Sequence, residues 1–168
     1  MIIGIDPGLT GAIAVLTPSG QIALFDTPTA KIKQGKTYKT DYLPYEMADI
    51  IRRFRSSMVF IEKVHAMPMF STNKEGKEKR QGATSLFRFG EGYGLWLGII
   101  AALEMQITKV APQTWKKAIM AGMPDKDAAR QRAQELYPEC VKDLSRKKDI
   151  GRADALLILH WGRSQIGR

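Results

Sequence analysis

Residues 2–16 read IIGIDPGLTGAIAVL: a β-branched run, Ile2–Asp6, then the turn Pro7-Gly8-Leu9-Thr10-Gly11, then a second apolar run, Ala12–Leu16. Two short apolar runs joined by a Pro/Gly turn predict paired strands. Pro18-Ser19-Gly20 leads into a third strand, Gln21–Asp26, so the chain opens as an antiparallel meander. Downstream, strands are expected at Met58–Glu62 and Gln106–Val110, and apolar residues recur at helical spacing over Leu43–Phe54 and Phe87–Glu104. Pro112 introduces a helix over Gln113–Met120, and two more are expected at Lys126–Tyr137 and Gly151–Ser164. The order is βββαβαβααα. It predicts an α/β fold, a five-stranded mixed sheet of three antiparallel strands plus parallel ones, flanked by helices. Neither a repeat nor a linker divides the 168 residues, which are expected to form one domain.

Two polar stretches interrupt this pattern. Pro28–Thr40 carries Lys31, Lys33, Lys36 and Lys39 without an apolar period and reads as a solvated or mobile loop. His65–Gln81 reads as a mobile basic loop with an apolar tip at Met67-Pro68-Met69-Phe70, and it carries Lys74, Lys77, Lys79 and Arg80. On the helix that follows, Gly90, Gly94 and Gly98 line one face and permit close backbone approach, either by a second subunit or by the sheet. Phe87, Phe89 and Trp96 are read as packing residues, and His65 and His160, without paired ligand spacing, as core or surface histidines.

Composition narrows the function. With 44% hydrophobic and 26% charged residues the chain is neither collagenous nor disordered, and no apolar run approaches the roughly 20 residues of a membrane span. The opening MIIGIDPG has no basic leader, and Cys140 is the single cysteine, so a reducing, cytoplasmic setting is expected. Lys and Arg total 26 against 17 acids, a net charge of +9, and none of the basic residues precedes Lys31. Such a field favours a polyanion, and nucleic acid over a membrane surface because the cations interleave with turns and aromatics.

Inside this basic chain, acids end two strands. Asp6 closes the first and Glu62 the fourth, while Asp154 lies in the opening turn of the final apolar helix. An acid ending a strand is often merely its exposed end. Three carboxylates that the element order can bring together, with no basic partner, instead point to a metal. Clustered oxygen ligands suit Mg²⁺, and two ions ~4 Å apart can activate water and stabilise the departing oxygen in phosphodiester cleavage. Mn²⁺ is expected to substitute. No nucleotide cofactor is expected: Asp-x-Gly with a following Thr also opens the phosphate loop of actin-like ATPases, but those need two lobes.

The segments Gly4-Ile5-Asp6-Pro7-Gly8, Ile61-Glu62-Lys63-Val64, Ala111-Pro112-Gln113-Thr114-Trp115-Lys116-Lys117, Asp125-Lys126 and Arg152-Ala153-Asp154-Ala155-Leu156-Leu157-Ile158 occur in an order that resembles RuvC-type Holliday junction resolvases of the RNase H-like superfamily, in their bacteriophage form. The resemblance implies a metal-dependent endonuclease that resolves four-way DNA junctions by paired nicks, leaving 5′-phosphates, as a homodimer in bacterial or phage-infected host cytoplasm. It places Asp6, Glu62 and Asp154 in a site for two Mg²⁺. The usual acid or histidine three residues before the final Asp is replaced by Gly151, so Asp149 is the candidate fourth ligand, with Asp143 a distant rival. Lys116 and Lys126 match basic residues near the scissile phosphate, and Phe70 is the candidate wedge between bases at the crossover. Lys147, Lys148 and Arg152 are expected to track the DNA backbone, and Lys74, Lys77, Lys79 and Arg80, in the region that approaches the crossover in this family, are candidate DNA contacts. The alternatives are a ribonuclease acting on RNA:DNA hybrid or structured RNA, and a DNA-binding module without catalysis.

Overall fold

Five strands form the central sheet of the computed structural model, which describes residues 1–64, 70–72, 78–80, 83–121 and 128–166. β1 (Ile2–Asp6), β2 (Ala12–Leu16) and β3 (Ile22–Asp26) make the meander. Next come the hairpin β4 (Thr29–Gln34) and β5 (Thr37–Tyr42), then α1 (Pro44–Arg52) and β6 (Met58–Glu62). Two three-residue strands, β7 (Phe70–Thr72) and β8 (Glu78–Arg80), pair with each other ahead of α2 (Ala83–Ala102). β9 (Ile107–Val110), α3 (Pro112–Ile119), α4 (Ala128–Leu136), two 3₁₀ turns at Pro138–Leu144 and Lys147–Asp149, and α5 (Ile150–Gln165) complete the chain. The sheet order is β3-β2-β1-β6-β9, antiparallel across the meander and parallel from β1 through β6 to β9. The expected mixed sheet is therefore present.

Both faces of the sheet are covered, which is why β1 and β2 are nearly unbroken apolar runs. Ile3, Ile5, Ile13, Val59 and Ile61 pack with Met47 and Ile51 of α1 and Trp96 and Ile100 of α2. Ile2, Ala12, Ala14 and Phe60 pack on the opposite side with α5 and Trp115 of α3. Successive side chains of a strand point to opposite faces, so Asp6 shares the α5 side with Ile2 and Gly4, and Glu62 shares it with Phe60. That alternation decides where the acids meet.

α5 lies directly on β1. A Cβ at Gly4 would collide with the Ala155 carbonyl and Leu159, and one at Gly151 would collide with the Thr10 carbonyl. Helix and strand thus run in opposite directions, and the start of α5 rests on the β1–β2 turn beyond Asp6.

Several sequence expectations are corrected. Residues 29–42 are not a loop but the β4–β5 hairpin, closed by Gly35 at φ 61°, the first central position where a type II′ turn takes glycine. Its signals were Thr, Ile and Tyr residues on either side of Gly35; with neither face buried, hydrophobic alternation could not show it. Part of the expected 65–81 loop is the β7–β8 ribbon, whereas His65, Met67 and Met69 lie outside the described residues. On α2, a Cβ at Gly90, Gly94 or Gly98 would meet nothing, so the glycine face does not pack on the sheet; Gly92 does the close packing instead, against the Tyr42 ring. Phe87, expected inside, is 76% exposed. His160 meets its expectation, hydrogen-bonded to the Tyr137 hydroxyl through Nδ1 at 3.0 Å.

Candidate active site

Asp6 and Glu62 end neighbouring parallel strands. Ile5 pairs with Ile61, and each acid is the next residue on its strand, projecting on the α5 side. The start of α5 brings in Asp154, one residue before the Ala155 carbonyl that crowds Gly4. Three distant stretches thereby place carboxylates within one another's electrostatic reach. Burial, then the charges of Asp154 and Glu62, push Asp6 up to about 7. Burial likewise pushes Asp154 up to about 6, opposed by the Lys116 ammonium and reinforced by Glu62. Two half-buried acids that resist ionisation in a basic protein are candidate ligands for a cation.

Partners of these oxygens agree with that reading. The Gly8 amide reaches Asp6 Oδ1 at 3.4 Å, and Oδ1 of Asp154 is buried without any hydrogen-bond partner. Trp115, fully buried on α3, donates Nε1–H to Glu62 Oε2 at 2.8 Å. This bond was missed from sequence, although Trp115 lies in the Pro-Gln-Thr-Trp-Lys segment that carried the resemblance. Lys116 is exposed and holds Nζ 5.1 Å from the Trp115 ring centroid. Among the described residues no three His, Cys, Asp or Glu side chains form a finished coordination group. An orphaned oxygen on Asp154, within electrostatic reach of Asp6, suits a hard divalent ion that keeps some of its water.

Asp149 stands elsewhere. It is 3% exposed, accepts the Arg146 backbone N–H at 2.8 Å, and is gripped by Arg146 Nη2 at 2.8 Å and Nε at 3.1 Å. These bonds hold its carboxyl below the usual range. Five residues span roughly 140° of a helix, so Asp149 and Asp154 point to different sides. Asp149, the candidate fourth ligand, is thus committed to Arg146 and anchors the turn into α5. Asp143 is exposed in the preceding 3₁₀ turn. Arg152, expected on the DNA backbone, pairs through Nε and Nη2 with both carboxylate oxygens of Asp26, at 2.6 and 2.9 Å, tying α5 to the end of β3. Lys147 and Lys148 are exposed beside it. Lys74, Lys77 and Lys126 lie outside the described residues, while Phe70 sits on β7 opposite Arg80, and Lys79 pairs with Ser71.

Across the β1–β2 turn from the acids lies a cavity of about 560 Å³ lined by Gly8, Leu9, Thr10, Tyr42, Thr84 and Phe89, among others. A Cβ at Gly8 would stand 3.8 Å from Phe89 Cε2 and 3.9 Å from Asp6 Oδ1, so the first half of α2 adjoins the carboxylates. No described helix is long and apolar enough to cross a membrane.

No family model matches the chain. A chloroplastic Holliday junction resolvase from Chlamydomonas reinhardtii is 36% identical over 69 residues, 40% of this chain and 8% of that protein. The Thermus thermophilus RuvC structure superposes with a TM-score of 0.54 at 16% identity, covering 99% of this chain and 96% of that one. T. thermophilus RuvC in complex with a Holliday junction substrate gives a TM-score of 0.56 at 15% identity, with the same coverage. The chain therefore has the RNase H-like fold of RuvC over its whole length, with three acids gathered where its strands end.

Proposed function

We propose that the protein is a divalent-metal-dependent endonuclease that resolves four-way DNA junctions by paired nicks. One observation carries this: Asp6, Glu62 and Asp154 converge from β1, β6 and α5 as half-buried, mutually repelling carboxylates inside a chain of net charge +9 that has the RuvC fold. The small match to a junction resolvase supports the substrate class.

Asp6, Glu62 and Asp154 would hold Mg²⁺, two ions per site, with Mn²⁺ able to replace them. Ions held there supply an activated attacking water and charge stabilisation for the departing oxygen. The chain's own residues do the rest. Trp115 fixes the Glu62 carboxylate through its indole N–H, so that the acid need not be ordered when the substrate arrives. Lys116, close enough to Asp6 and Asp154 to favour their ionised forms, adds positive charge where the phosphate becomes more negative. Exposed Lys147 and Lys148, with Lys126 and the basic residues of 74–80, hold the DNA backbone, and the products carry 5′-phosphate and 3′-hydroxyl ends.

A four-way junction has two-fold symmetry and needs two cuts, which a symmetric homodimer delivers. The outward face of α2, with exposed Phe87 beside the open Gly90 and Gly94, fits that contact.

The test is incubation with labelled four-way junction, linear duplex and RNA:DNA hybrid, with and without Mg²⁺, alongside Asp6→Asn. Symmetric Mg²⁺-dependent nicking of the junction alone, abolished in the variant, is the expected result. Preferential cutting of the hybrid would replace it with the ribonuclease reading.

A further inference from the structure

The β4–β5 hairpin is separate from the central sheet and is exposed along most of its length. Lys31, Lys33 and Lys36 are exposed and Lys39 is half-buried, while Tyr38 and Ile32 are 69% and 45% exposed. The register sets Lys33 opposite Tyr38 and Lys31 opposite Thr40 on one face, with Ile32 opposite Lys39 on the other. A two-stranded ribbon with both faces in water is marginally stable alone, so its persistence needs an anchor. Arg88 of α2 is that anchor. Its side chain, 13% exposed, donates to the Thr40 carbonyl through Nη1 and to Asp41 Oδ1 through Nη2 at 2.8 Å. Asp41 is the hairpin's single acid and is thereby committed to Arg88, leaving the four lysines uncompensated within the ribbon. Behind the base, Tyr42 packs on Gly92.

The anchor also fixes where the ribbon starts. Arg88 adjoins Phe89, and the Phe89 ring edge and Asp6 Oδ1 lie within 4 Å of the same point above Gly8. The hairpin root is therefore on the α2 side of the acid cluster, one short step from the cut. Six residues per strand extend about 20 Å, a length that follows about six nucleotides of a DNA strand at 3.4 Å each.

We propose that the β4–β5 hairpin is a backbone-binding arm that engages the phosphates of a DNA duplex leading away from the reactive centre, through Lys31, Lys33, Lys36 and Lys39 with Tyr38 alongside. The inference rests on the nuclease reading for the identity of the reactive centre. Its carrying argument is charge complementarity: four lysines, on both faces and at the turn of an anchored ribbon, beside a polyanion that the acids would cut. Phosphate contacts of this kind position the duplex and carry no sequence information.

The experiment compares the full-length protein with the variant Lys31→Gln/Lys33→Gln/Lys36→Gln/Lys39→Gln, and separately with Tyr38→Ala, in binding to short-armed and long-armed four-way junctions and to linear duplex, over a series of salt concentrations in EDTA. Each phosphate contact contributes about 0.9 to the slope of log K against log salt, so the quadruple variant should flatten that slope by up to about 3.6 on long-armed junction and on duplex. Tyr38→Ala should weaken binding without changing the slope. An unchanged slope overturns the hairpin's role. A parent protein that binds DNA but nicks no junction once Mg²⁺ replaces the EDTA overturns the nuclease reading instead, and the duplex slopes still decide the hairpin.

Discussion

Replacing Asp6 with Asn should abolish nicking and, in the absence of metal, stabilise the fold. Asp6 is raised from 3.8 to about 7 by burial and by the charges of Asp154 and Glu62. A carboxyl whose folded value exceeds its unfolded one favours the folded state at low pH and loses that advantage as pH rises through the folded value. The metal-free protein should therefore weaken between about pH 4 and about pH 7 and level off above that. At roughly 1.4 kcal/mol per pH unit, a rise of about three units corresponds to about 4 kcal/mol of strain at pH 8. Asn removes the charge while keeping the shape, so most of that strain should go, raising Tm by roughly 10 °C for a chain of this size. Divalent ions should produce the same rescue in the parent by neutralising the cluster, and a much smaller one in the variant. The assay is thermal and urea unfolding of both proteins at pH 5 and pH 8, in EDTA and in Mg²⁺. Equal stability of parent and variant at pH 8 in EDTA, or an equal response of both to Mg²⁺, would refute the claim that Asp6 is a strained ligand awaiting a cation.

Trp115→Phe keeps the buried ring but removes the N–H that holds Glu62; nicking should then need about 10–100-fold more metal, as a Mg²⁺ titration of rate would show. Arg146→Ala leaves Asp149 buried without its guanidinium, so Tm should fall at pH 7, with the loss shrinking as pH drops below about 4 and the carboxyl protonates. Gly92→Ala drives a methyl into the Tyr42 ring and should destabilise by about 1–3 kcal/mol in urea unfolding. Gly94→Ala meets nothing and should gain up to about 1 kcal/mol from helix propensity, whereas Gly94→Arg should leave the fold intact and turn a sedimenting dimer into a monomer.

Much of this protein is written locally. The strands β1, β2 and β6 show in the sequence because each is buried on both faces and so is nearly all apolar, and Asp6 and Glu62 stand out as the acids that break those runs. The final helix and Asp154 are visible for the same reason. The hairpin at 29–42 is not, since a ribbon exposed on both faces has no hydrophobic period and its pairing is a matter between its own two strands. Which glycine of α2 packs closely is equally invisible: Gly90, Gly92, Gly94 and Gly98 are alike in a string of letters, and the position of Tyr42 selects Gly92.

The site divides along the same line. Residue type alone set Asp6, Glu62 and Asp154 apart, because a carboxylate in an apolar run demands a partner. Their meeting on one side of the sheet, the Trp115 bond to Glu62 and the pairing of Arg152 with Asp26 depend on distances between segments far apart in the chain, whereas Asp149 is taken by Arg146 only three residues away. A charged side chain takes the nearest opposite charge that folding offers it, and only the packed arrangement of α5 against β1 and β3 settles which one that is.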